Sequence, residues 1–139
     1  MTQLVDDRVL AGVLQGGAPL DPGQPVYTTG CWYVRLCQAA LSSTVSGTLS
    51  GSFAELPPKL IPRALHSLLE LPDEIGLVSL RTLAPLIGRL RSRHRLLNLL
   101  SVEALAAALH LNADVYLLTP SPPLQEALTA EGRQAVILG

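Results

Sequence analysis

The chain has little cysteine, few aromatic residues, a single lysine and no long apolar run. Its two thiols, Cys31 and Cys37, stand six residues apart. On a helix that spacing turns them to different faces, so neither a disulfide nor a CxxC metal or redox site is expected. Two reduced, buried cysteines are the simplest reading. Phe, Tyr and Trp make up only 4% of the residues, yet Tyr27, Trp32 and Tyr33 fall close together. Core packing is the first expectation for them, with base stacking or a partner surface as alternatives. A net charge of −1 supplies no global field to draw in nucleic acid, so any such binding must rest on a local patch. Mean hydropathy is +0.36, but the longest uncharged stretch, residues 36–54, is rich in Ser and Thr and ill suited to hydrocarbon. Asp6 and Asp7 stand where a secretory signal would carry positive charge before an apolar run. The expectation is a soluble, cytoplasmic protein without membrane contact. P-loop, GxGxxG and nucleophile-elbow motifs do not occur, which argues against an ATPase, a dehydrogenase or a classical esterase.

What is present reads as strands alternating with helices. A length of 139 residues suits one domain, which buries roughly two-thirds of its unfolded surface. "TQLVD" predicts a short strand, and Val9, Leu10, Val13 and Leu14 follow at helical spacing until Gly16-Gly17. "VYTT" predicts a strand, and "GCWYVRLCQAAL" a helix capped by Thr28 or Thr29. Residues 42–52 are rich in Ser and Gly and predict a flexible connection, before a helix restarts over 57–71. "IGLVSL", residues 75–80, predicts a strand, followed by an amphipathic helix over 81–95 and a helix capped by Ser101. "DVYLLT", then "SPPLQEALTAEG" closed by Gly132, then "QAVIL" complete the alternation as strand, helix and strand. Strands apolar on both faces and separated by helices predict a single three-layer α/β/α domain over residues 1–139, with a mostly parallel central sheet.

Parallel topology sorts the acids by rim. Ligands of open parallel sheets sit beyond the carboxyl ends of the strands. Asp6 closes the first strand, and Thr119 and Ser121 leave the strand that starts near residue 114. Glu103 opens the helix that descends into that same strand, so it is expected at the same rim. Asp73, Glu74 and Asp114 precede strands and belong to the opposite rim.

With "LVDDRVLAGVL" at the start, "LLSVEALAAALHLNADVYLLT" late and "AVIL" at the close, the chain resembles PIN domains, found in metal-dependent ribonucleases and in toxins of toxin-antitoxin pairs. It is also similar to a group of actinobacterial proteins with a Thr-Thr-Gly and Trp-Tyr signature, which "TTGCWYVRL" matches. The PIN resemblance implies carboxylates holding Mg²⁺ or Mn²⁺, a hard cation that prefers oxygen ligands, activates water and neutralises phosphate charge. On this chain it implies metal ligation by Asp6, Asp7 and Glu103, with Asp6 and Glu103 as the catalytic pair. Two positions depart from the pattern. Arg35 stands where a glutamate is usual, and Thr119-Pro120-Ser121 where an Asp-bearing turn is usual. A guanidinium about 5 Å from a divalent ion would repel it by about 6 to 7 kcal/mol at an effective dielectric near 20. Arg35 is therefore expected over Asp6 and Glu103 as an internal counter-ion replacing the metal.

The expected function is a PIN-like module with a degenerate metal site, non-catalytic, binding RNA or a protein partner. The alternative is a divergent Mg²⁺- or Mn²⁺-dependent ribonuclease in which Thr119 or Ser121 helps bind phosphate or water. Arg89, Arg91, Arg93 and Arg95 are the candidate RNA contacts, although such a run is also the ordinary solvated end of an amphipathic helix. The resemblance further implies an antitoxin-like partner and a homodimer.

Overall fold

The computed structural model describes residues 1–17, 19–46 and 70–139. Five strands, β1 (Gln3–Val5), β2 (Val26–Thr29), β3 (Ile75–Val78), β4 (Asp114–Leu117) and β5 (Ala135–Ile137), form one sheet in the order β3-β2-β1-β4-β5. Every pairing is parallel. The described helices are α1 (Asp7–Leu14), α2 (Gly30–Ser46), α3 (Leu80–Arg93), α4 (Leu99–Leu111) and α5 (Pro122–Ala130). The expected α/β architecture with a parallel central sheet is what the chain adopts.

Side-chain alternation along the strands divides the interior in two. Leu4, Val115 and Leu117 face a core shared with Leu83, Leu105, Leu124 and Leu128, from α3, α4 and α5. Val5, on the other face, packs with Val9, Leu10, Leu36 and Ala40 of α1 and α2. Helices therefore pack on both faces, and the central strands β1 and β4 are apolar in both directions because both of their faces are covered.

Helix α4 lies deepest. Ser101 through Ala108 are all buried, and four of these eight residues are alanine. A helix enclosed on every side by a sheet and by α3 and α5 accommodates that crowding with small side chains. Its cap is Asn98, whose side chain accepts from the Ser101 amide at 2.8 Å, and not Ser101 as the sequence suggested. Both residue types cap well, and the extra turn that starts at Leu99 displaces Ser101 into the helix. Other boundaries follow the sequence closely. Thr29 Oγ1 accepts from the Trp32 amide at 3.2 Å and caps α2. Gly132, at φ +80°, follows α5 in the left-handed conformation that glycine adopts without steric cost.

Helix α2 runs on to Ser46, so residues 42–46 of the expected flexible connection are helical. The rest of that connection, the helix expected over 57–71 up to residue 69, and His66 lie outside the described residues. Among the described residues, no helix is long and apolar enough to cross a membrane.

Gly76 shows how tightly one edge of the sheet is fitted. It pairs across the strands with Tyr27, and a Cβ built on it would overlap the Tyr27 ring. The aromatic ring covers the bare backbone of its neighbour. Gly76→Val is expected to cost about 1–3 kcal/mol through forced displacement of that ring. In a Tyr27→Ala background most of the cost should vanish, as read from denaturant midpoints of the four proteins.

Candidate functional site

In this sheet the switch point lies between β1 and β4, because the chain leaves β1 toward one edge and β4 toward the other. After β1 the chain enters α1 on one face, and after β4 it enters α5 on the other. The two exits diverge and leave a crevice at the carboxyl ends, where ligands of open α/β sheets bind. A cleft of about 140 Å³ lies there, bordered by Asp6, Asp7 and Arg8 from the first exit and by Thr119 and Ser121 from the second. Trp32 and Arg35 of α2 and Ser101 of α4 complete its wall.

Asp6 occupies the fork of the crevice and is 6% exposed. Its extended backbone ends β1, and its Oδ1 accepts from the Val9 amide at 2.7 Å, capping α1. Its Oδ2 accepts from the Leu118 amide at 3.1 Å, holding the chain as it leaves β4. The Asp6 amide in turn donates to the Tyr116 carbonyl at 3.1 Å. Burial pushes the Asp6 carboxyl above the usual aspartate value, although the bonds from Val9 and Leu118 favour its charged form.

Glu103 is fully shielded from water. Its Oε1 accepts from the Cys31 amide at 2.9 Å, so it supports the first turn of α2 beside the Thr29 cap. The N-terminal dipole of that helix favours a carboxylate at this place. Its Oε2 is buried without a hydrogen-bond partner. Burial, together with the neighbouring Glu103, pushes the Cys31 thiol up to about 11.

Arg35 does not bridge Asp6 and Glu103 as the sequence suggested. Its Nε lies 3.7 Å from Asp7 Oδ2, and the side chain is 55% exposed. Asp6 is held by the Val9 and Leu118 amides, and Glu103 by the Cys31 amide. A sequence can mark an acid at a strand end, but not that the amides of Leu118 and Cys31 will point at it.

A divalent cation is what the PIN resemblance implies for this place. The donor set does not fit one. Asp6 serves α1 and the β4 exit, Asp7 serves Arg35, and Glu103 turns to α2 and does not border the cleft. Among the described residues, no group of three His, Cys, Asp or Glu side chains is placed to hold a metal. The cleft's two acids are matched by Arg8 and Arg35, so it has no excess negative charge to concentrate cations.

The arginine run divides likewise. Arg93 makes two bonds to Glu131, at 3.2 and 3.0 Å, and His94 Nε2 lies 2.8 Å from Glu131 Oε2. Arg91 donates to the Leu97 carbonyl at 3.1 Å. Arg89 and Arg95 are exposed, and their guanidinium groups have no partner among the described residues. At the opposite rim Arg133 donates to Asn112 and lies 3.4 Å from Asp114, tying the end of α4 to the start of β4. Trp32 is buried in the core, as first expected of the aromatic cluster. The sequence matches no protein-family model and no curated relative.

Two sets of outcomes follow. Glu103→Gln keeps the acceptor for Cys31 and removes a buried charge, so its melting temperature is expected at or above that of the wild type. Asp6→Asn sets an amide donor against one of the two main-chain donors and is expected to cost about 1–3 kcal/mol in chemical denaturation. The second set concerns pH. Bonds from His94 and then Arg93 hold the Glu131 carboxyl below its ordinary value. A depressed folded-state value stabilises above the ordinary glutamate range, and that stabilisation is lost as pH falls through the lower folded value. Glu131→Gln should therefore lower the melting temperature near neutral pH and bring it closer to wild type in acid.

Proposed function

We propose that this chain is a PIN-like module that works by binding and not by cutting, its acids having become supports for helices. The observation that carries this reading is Asp6, both of whose oxygens accept from main-chain amides. An ion that drew the carboxylate away would leave a buried amide and a partly buried one unpaired, at up to about 1–3 kcal/mol each. That total is comparable to the whole free energy of millimolar binding, about 4 kcal/mol. The electrically balanced cleft and the separate orientation of Glu103 support the same reading.

A protein partner is favoured over RNA because two of the four candidate arginines are engaged within the chain. With Arg89 and Arg95 the two members of that run left free among the described residues, single-stranded RNA held by it would bind with a shallow salt dependence, a log-log slope of about −1.4. An antitoxin-like partner, a homodimer and a cytoplasmic setting belong to this reading through the resemblance to PIN proteins. The divergent ribonuclease remains the second reading, favoured by Asp6 and Asp7 both bordering the cleft at the carboxyl ends of the strands.

The deciding measurement is incubation of purified protein with structured and single-stranded RNA and Mn²⁺, beside Asp6→Asn. The expected outcome is no metal-dependent cleavage by either protein, and no heat of Mn²⁺ binding tighter than millimolar. Cleavage that requires Mn²⁺ and disappears in Asp6→Asn would replace this proposal with the ribonuclease.

A further inference from the structure

The turn between α3 and α4 carries side chains unusual for its place. The Leu97 amide donates to the His94 carbonyl at 3.2 Å, which leaves Arg95 and Leu96 as the central residues of a tight turn. Such positions ordinarily hold Gly, Pro, Asn, Asp or Ser. Here Leu96 is 97% exposed, and Leu99, the first residue of α4, is 56% exposed.

Both stems of this turn are fixed. On the incoming side, His94 and Arg93 are bound to Glu131 beyond the end of α5. On the outgoing side, Leu97 is 5% exposed and packed in the core, and its carbonyl accepts from Arg91 at 3.1 Å. A leucine scattered on a surface needs no explanation. Here a leucine stands at the tip of a braced turn, with a second exposed leucine three residues on, and the Arg95 guanidinium beside it has no partner among the described residues.

Charge and chemistry select the occupant. RNA is a poor match, because the turn presents aliphatic carbon and one free cation where polyphosphate would need several cations, and it carries no aromatic ring for base stacking. A second copy meeting through the same patch would bring the two Arg95 side chains into one interface, with like charges opposed. An acidic segment bearing apolar side chains complements both features.

We infer that the turn His94–Leu97, with Leu99, is the docking surface for an acidic segment of a partner protein. An apolar side chain of that segment packs on Leu96 and Leu99, and its carboxylates meet Arg95. This assignment rests on the reading of the chain as a binding module and names the surface that does the binding.

The test uses the full chain as bait for a random peptide library displayed on phage, followed by affinity measurements with the enriched peptides in synthetic form. Enriched peptides should be net negative and carry large apolar residues. Their affinity should fall about tenfold or more for Leu96→Ser and for Arg95→Glu, and be unchanged for Thr119→Trp, which fills the cleft. Because the Leu96 side chain projects into water, Leu96→Ser should melt with the wild type, so loss of binding cannot be loss of fold. Failure to enrich acidic peptides, or equal binding to Leu96→Ser, overturns the assignment. So does loss confined to Thr119→Trp, a wild-type dimer that Leu96→Ser dissociates, or a single-stranded RNA oligonucleotide whose binding Leu96→Ser abolishes. None of these results bears on metal-dependent cleavage, so the docking surface and the non-catalytic reading can fail separately.

Discussion

Two main-chain amides converging on the carboxylate of Asp6 hold together the place where the fold divides. One belongs to the start of α1 and the other to the exit from β4. The helices that follow β1 and β4 leave for opposite faces, and the Asp6 carboxylate extends the main-chain tie that its amide makes to the Tyr116 carbonyl. Water is largely excluded from the fork, and the carboxylate satisfies there what water otherwise would. Glu103 performs the related task for α2 from the centre of the buried helix α4. The rim that could assemble a charged centre is thereby organised around helix ends.

Three of the four carboxylate oxygens of Asp6 and Glu103 accept from main-chain amides. The partial positive charge of a helix start can stand in for part of what an ion would supply, and it comes with the fold. Arg8 and Arg35 set two full charges on the same cleft, opposite Asp6 and Asp7. What remains is a small crevice with hydroxyl groups and balanced charge, together with a projecting turn on a neighbouring corner.

Much of this was legible in the sequence, and the limits have physical causes. Leu4, Val5, Val115 and Leu117 are apolar whichever way they point, which is the signature of a parallel sheet covered on both sides, and the sheet is of that kind. The order of strands and helices then put Asp6 at the carboxyl rim without any coordinate. Orientation was beyond reach. Glu103 lies in the expected helix, but whether its carboxylate turns to the cleft or to Cys31 depends on how α2 and α4 meet. Arg35 was expected over two acids that proved to accept from main-chain amides, and backbone donors leave no mark in a string of residue names. The pairing of Arg93 and His94 with Glu131, across 38 and 37 positions, lies outside any local pattern for the same reason.

The support of α2 by Glu103 has a chemical consequence at Cys31. Burial and the neighbouring Glu103 push the Cys31 thiol up to about 11, so the reactive thiolate is disfavoured at neutral pH. An alkylating reagent is therefore expected to react more slowly with Cys31 in the folded protein than in the unfolded chain.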